Sequence, residues 1–174
     1  YKKRVIQLGE HKKNIYNIGA IGLNKKIFKS LKEKNTLKKI LKVKFQNNNF
    51  LIVFHPETQS NDSEKIIENI FKALKKFKET NFFFTGSGAD LNSEKIKFLI
   101  KKYVKKNRHC YYFESLGRKL YLSLLKNMDC LIGNSSSGIY EAPLLRLPTV
   151  NIGHRQTGRI QSNNIVNINF FSPK

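Results

Sequence analysis

The sequence predicts an α/β domain built on a doubly wound, mostly parallel sheet, and three observations carry that prediction. Short apolar runs such as Phe50 to Phe54 and Asn81 to Thr85 are continuous rather than alternating, as strands covered on both faces are. Between them lie lysine-rich segments whose apolar residues recur every three or four positions, the period of a helix packed on one side. The two kinds of segment alternate along the chain with no internal repeat or low-complexity linker, the order of consecutive βαβ units. At 174 residues the chain is long enough for one domain with a core of its own.

Tyr1 to Glu10 reads as the end of a helix, and Ile15 to Ile18 as a first short strand. It ends at Gly19-Ala20-Ile21-Gly22, where two glycines permit a tight turn. Lys25 to Val43 reads as one helix with Ile27, Leu31, Leu37, Ile40 and Leu41 inward, closed by the Asn47-Asn48-Asn49 loop. The strand Phe50 to Phe54 ends at His55-Pro56, on the edge where open α/β sheets bind ligands. Asp62 to Lys78 puts Ile66, Ile67, Ile70, Phe71, Leu74 and Phe77 on one helical face. The strand Asn81 to Thr85 runs into Gly86-Ser87-Gly88-Ala89-Asp90, half a dinucleotide fingerprint in which Leu91 replaces the third glycine. Asp90 there either reaches a sugar or caps the helix Ser93 to Lys106. After the strand Cys110 to Phe113, Ser115 is a candidate N-cap for a helix with Leu120, Tyr121, Leu124, Leu125 and Met128 inward. Cys130 to Ile132, Thr149 to Ile152 and an edge run Ile165 to Ile168 complete the strands, and Pro143 keeps the helix before it short.

A net charge of +21 and a pI near 10.1 ordinarily raise nucleic acid or an anionic membrane as a partner. Here the lysines spread over nearly every polar helix face, the pattern of a solvated surface, so neither nucleic acid nor membrane is expected. No apolar run nears the roughly 20 residues that span a bilayer. Cys110 and Cys130 fit no metal or redox spacing and read as buried, reduced thiols of a cytoplasmic protein. Beginning at Tyr1 without a methionine, the chain reads as a fragment.

The candidate site is the stretch from Cys130 to Arg159. A strand ends at Gly133 and gives way to Asn134-Ser135-Ser136-Ser137-Gly138, small hydroxyl-rich residues before a helix. That is how an α/β sheet presents N–H groups to an anion, and it reads as a phosphate cradle. Ser135, Ser136 and Ser137 add hydroxyl donors, and Gly138 lets a ligand approach the backbone. Glu141 follows within about one helical turn. An acceptor-only carboxylate suits a sugar diol and repels a bare phosphate, so the pair implies a nucleotide. Arg155 and Arg159, beyond the next strand, offer planar forks for phosphate oxygens, with Arg159 the more strongly expected. Taken alone, the serines equally suit an ordinary helix start and the arginines a basic surface.

The order and spacing of several motifs resemble the hydrolysing UDP-N-acetylglucosamine 2-epimerases of the sialic-acid type. They are Ser115-Leu116-Gly117, Gly133 to Gly138, Glu141-Ala142-Pro143, Val150-Asn151-Ile152-Gly153, Arg155-Gln156 and Gly158-Arg159. Ile6 to Glu10, Asn17-Ile18-Gly19, Phe54-His55-Pro56 with Thr58, and Gly88-Ala89-Asp90 extend the resemblance over nearly the whole chain. It implies that residues 1–174 are the Rossmann-like, UDP-binding C-terminal lobe of a two-lobed GT-B fold, the N-terminal lobe being absent. It also implies that Ser135, Ser136, Ser137, Gly138, Glu141, Arg155 and Arg159 bind UDP, with Leu116 and Gly117 in the loop that holds the uracil. His55 is implied to be a catalytic group near the leaving phosphate.

The complete enzyme would then convert UDP-N-acetylglucosamine and water to N-acetylmannosamine and UDP. UDP leaves first, and water then adds at C1 while a proton reaches C2. No cofactor and no metal are implied, the acid/base carboxylates lie in the other lobe, and the full-length enzyme is a homo-oligomer. This chain alone is expected to bind UDP weakly and turn over nothing. Alternatives are a non-hydrolysing UDP-sugar 2-epimerase, the donor lobe of a UDP-sugar glycosyltransferase and a non-enzymatic basic binding module. A diacetamido-dideoxy UDP sugar is the open substrate variant.

Overall fold

A computed structural model describes residues 1–20, 22–23, 25–57, 62–86 and 93–168. Thr58 and the stretch Ser87 to Asp90, including both roles weighed for Asp90, lie outside the described residues. The described residues form one sheet of six parallel strands: β1 (Asn48–Val53), β2 (Thr80–Thr85), β3 (Cys110–Phe113), β4 (Cys130–Gly133), β5 (Thr149–Ile152) and β6 (Ile165–Ile168). Their order is β3-β2-β1-β4-β5-β6. The helices are α1 (Lys2–Gln7), α2 (Lys25–Lys29), α3 (Lys34–Leu41), α4 (Ser63–Leu74), α5 (Ser93–Lys105), α6 (Gly117–Lys126) and α7 (Ser137–Tyr140).

The unbroken apolar runs follow from two cores, one on each face of the sheet. Leu51 and Val53 of β1 and Phe83 of β2 pack with Leu122, Leu124 and Leu125 of α6. Their chain neighbours Ile52, Phe54, Phe82 and Phe84 point the other way, onto Ile66, Ile67 and Ile70 of α4 and Ile96 and Ile100 of α5. Each fully buried side chain of this size contributes about 1.5–3 kcal/mol, so exposing either face costs far more than the net stability of a domain. Phe71 and Tyr103 stack at 4.1 Å and 3°, joining α4 to α5. β6, at the end of the order, pairs with β5 and leaves Val166 62% and Ile168 42% exposed.

Three expectations are corrected. Ile15 to Ile18 is not a strand; a 3-10 turn over Lys12–Asn14 leads into irregular chain, and Tyr16 and Ile18 stand in solvent. With Tyr16 and Ile18 in solvent and only Ile15 half-buried, the segment lacks the burial that holds a strand on a sheet face. Lys25 to Val43 is two helices, not one. Between α2 and α3 Leu31 drops into the core, and the Lys32 N–H bonds Ser123 Oγ of α6 at 3.0 Å, so a tertiary bond replaces a helical one. α4 also stops at Leu74, short of Lys78.

Candidate functional site

β1 and β4 lie side by side, and from them the chain winds outward in both directions. That junction is the topological switch point, where the loops leaving the strands part and open a crevice. Gly133 makes it possible: at φ +136°, a Cβ there would overlap the Val53 carbonyl oxygen. Only glycine allows both the conformation and the approach.

A cleft of 290 Å³ opens over the C-terminal ends of β3, β2, β1 and β4. Ser115, Leu116 and Gly117 of the loop before α6 line it together with Tyr121, Ser135 and Ser137. Gly117 begins α6 with φ +62° and no neighbour where a Cβ would stand. The start of this helix turns its positive dipole end to the cleft, where Arg118 adds a cation and Glu114 a carboxylate ion-paired with Lys97 and Lys101. Ser115 does not cap α6 as expected: Leu116 is the N-cap, and the Ser115 hydroxyl only accepts the Gly117 N–H at 3.5 Å.

Within the cleft the Tyr121 hydroxyl donates to Ser137 Oγ at 2.7 Å, and the Ser135 hydroxyl donates to the same oxygen at 3.2 Å. Ser135 Oγ in turn accepts the Ser137 N–H at 3.2 Å. Burial pushes the Tyr121 phenol up to about 12, so it stays a neutral donor at physiological pH. Glu141 follows α7, half-buried, within electrostatic reach of Tyr121 and Arg118. Burial pushes its carboxyl up, and its backbone N–H and the Arg118 charge partly offset this.

Of the predicted binding residues, Ser135, Ser137, Leu116 and Gly117 border the cleft, while Ser136, Gly138, Glu141, Arg155, Arg159 and His55 stand outside its wall. The reason given for Gly138 is corrected. A Cβ there would lie 2.7 Å from Thr149 Cγ2, so this glycine lets α7 close on β5 rather than admitting a ligand. His55 and Arg155 are tied to the cradle through Asn134. His55 exchanges two hydrogen bonds with the Asn134 side chain, and Arg155 Nη1 donates to the Asn134 carbonyl at 3.2 Å. Arg159, the favoured arginine, is exposed farther along the same loop, its N–H on the Gln156 carbonyl.

Sequence reasoning missed Asn134, Tyr121, Arg118 and Glu57. Tyr121 sat in an apolar stripe and read as core, and Asn134 was one polar residue among several. Glu57 Oε1 accepts the backbone N–H groups of His154 at 3.0 Å and Arg155 at 3.1 Å, a contact between residues about a hundred positions apart. Among the described residues no group of three His, Cys, Asp or Glu is placed to hold a metal ion, and no helix is long and apolar enough to cross a membrane.

A parallel sheet of this strand order, with its polar cleft at the switch point, is a Rossmann-like lobe. The profile described as UDP-N-acetylglucosamine 2-epimerase matches residues 1–170, and the chain belongs to that family. The GDP/UDP-N,N'-diacetylbacillosamine 2-epimerase (hydrolyzing) of Campylobacter jejuni is 39% identical over 170 residues, covering 95% of this chain and 44% of that protein. Polysialic acid biosynthesis protein P7 of Escherichia coli is 39% identical over 171 residues, covering 97% of this chain and 43% of its own length. The structure of Methanocaldococcus jannaschii UDP-GlcNAc 2-epimerase in complex with UDP-GlcNAc and UDP matches with a TM-score of 0.71 at 16% identity, over 97% of this chain and 48% of that one. The chain thus spans less than half the length of these relatives and matches their C-terminal half.

Proposed function

We propose that this chain is the UDP-binding lobe of a hydrolysing UDP-sugar 2-epimerase that releases N-acetylmannosamine and UDP from UDP-N-acetylglucosamine. The observation that carries the reading is the convergence of the Ser135 and Ser137 hydroxyls and the α6 N-terminus on one cleft at the switch point. Fixed donors and a helix dipole aimed at one place stabilise a diphosphate as it departs, because they are already oriented when charge develops. Ser136, Arg155 and Arg159 add donors at the edge of this site, and Glu141, beside Arg118 and Tyr121, takes the ribose hydroxyls. Leu116 and Gly117 flank the uracil.

His55 would act on the sugar side of the leaving phosphate. The carboxylates that move protons at carbon belong to the other half of the protein, so this lobe alone binds UDP and turns over nothing. A cytoplasmic location fits the two unpaired thiols, Cys110 and Cys130.

The test is to supply the product of the complete gene with UDP-N-acetylglucosamine in deuterated water. Free UDP with C2-deuterated N-acetylmannosamine is the expected result. A 2-epimeric sugar still attached to UDP would instead indicate the non-hydrolysing reaction. The Campylobacter jejuni relative favours a second substrate, a UDP-linked diacetamido sugar, and the same assay run with that compound ranks the two by kcat/KM.

A further inference from the structure

Asn134 holds together more of this site than any residue predicted to bind. It is 0% exposed. Its Oδ1 accepts the His55 N–H at 2.7 Å, and its Nδ2 donates to the His55 carbonyl at 2.8 Å, so the amide completes one peptide unit in both directions. That pair fixes the loop after β1 to the loop after β4. The backbone carbonyl of Asn134, held in place by that pair, accepts Gln156 Nε2 at 2.7 Å and Arg155 Nη1 at 3.2 Å, which fixes the loop after β5. Ser135, the next residue, carries the first hydroxyl of the cradle. Aspartate would keep the acceptor and lose the donor, and serine lacks the reach. Glu57 makes a second tie between the outer loops, in space that a Cβ on Gly153 would fill at 2.6 Å from its Oε1.

The geometry points to Asn134 as a positioning residue that sets His55 and Arg155 relative to the serine cradle, so that three strand ends present one preorganised anion site. It touches no ligand itself. Its effect arises because hydrogen bonds made before binding need not be organised during it. This deepens, and rests on, the assignment of the cleft to UDP.

The experiment uses the product of the complete gene and compares wild type, Asn134→Ala and Asn134→Asp. It measures UDP affinity by calorimetry, the thermal midpoint, and amide hydrogen exchange over residues 54–57 and 153–157. Asn134→Ala removes the two side-chain bonds to His55 and is expected to lose protection over residues 54–57, with about a tenfold loss in UDP affinity of the folded protein, while residues 153–157, bonded to the backbone carbonyl and to Glu57, change less. Asn134→Asp keeps the acceptor for the His55 N–H and so retains more protection there, but its charge beside the anion site lowers UDP affinity further. A merely structural residue would lower the midpoint and leave the affinity of the folded protein alone. Affinity within twofold of wild type, or unchanged protection over residues 54–57, overturns the assignment. Should Asn134→Ala fail to fold, Asn134→Ser, which is uncharged and lacks the reach for either bond, is judged by the same limits. A wild-type protein that binds no UDP refutes the UDP assignment by itself, and the exchange data still decide whether Asn134 couples the loops.

Discussion

Ser137 Oγ accepts hydrogen bonds from both Tyr121, at 2.7 Å, and Ser135, at 3.2 Å. A hydroxyl has two lone pairs and one proton, so with both lone pairs engaged the Ser137 proton is left to be given away. Since Ser137 borders the cleft, the natural recipient is an oxygen bound there. Tyr121→Phe releases one lone pair and lets the Ser137 hydroxyl turn. UDP affinity should fall severalfold and stability by about 1 kcal/mol. Calorimetry with UDP and a urea melt check the two effects separately, and an affinity equal to wild type would show that the hydroxyl network faces no ligand.

Glu141 combines a burial cost with a proposed binding role, so its removal should separate the two. The raised carboxyl holds its proton more tightly folded than unfolded. Its contribution to stability is therefore present below the ordinary value of 4.5 and is lost as pH rises through the raised folded value. At pH 7 Glu141→Gln removes an unfavourable buried charge, and the ligand-free midpoint should rise by roughly 2 °C. UDP affinity should drop about tenfold in the same variant. Unchanged affinity would remove the ribose assignment.

Gly138 tests whether α7 is held by contact with β5. Gly138→Ala sets a methyl 2.7 Å from Thr149 Cγ2 and should cost about 1–3 kcal/mol. Thr149→Ser deletes the clashing methyl but keeps the hydroxyl, which bonds the Leu147 carbonyl at 3.4 Å. The double variant should regain most of the loss. If it is no more stable than Gly138→Ala alone, the close approach is not the cause.

Alkaline pH should unfold the protein in a graded way. Burial lifts Tyr103, Tyr112, Tyr121 and Cys110 each to about 12, and Cys130 to about 11. All five bind their protons more tightly in the folded state. The stability they contribute is complete below the ordinary values of 9.0 for cysteine and 10.0 for tyrosine, and it is lost as pH climbs toward 11 and 12. Thermal midpoints should therefore fall steadily from pH 9 to pH 11. A flat profile would mean that these groups are hydrated.

What the sequence made legible follows from how each signal arises. Cys110–Phe113 and Thr149–Ile152 match their predicted bounds, because a largely covered parallel strand needs little but a short apolar run between turns, and the exposed edge strand Ile165–Ile168 matches on its β-branched run. Ile15 to Ile18 misled because such a run says nothing about whether a partner surface exists. The break at Leu31 was hidden because the helical period continues through it, while the Lys32 N–H and carbonyl turn to Ser123 and Asn127, far away in sequence. In the site, Ser135 and Ser137 were visible as residue types that bind anions. Asn134 and Glu57 were not, since their partners are backbone groups brought near by strand order alone.

The outer rim of the sheet at β6 has a practical consequence. Val166 and Ile168 offer a small greasy margin along which two copies could join, and a charge of +21 opposes that joining. Mutual repulsion reaches about 10 Å in 0.1 M salt but only about 3 Å in 1 M. Concentrated salt, usually added to keep proteins apart, should make this one clump, and dilute buffer should keep it dispersed.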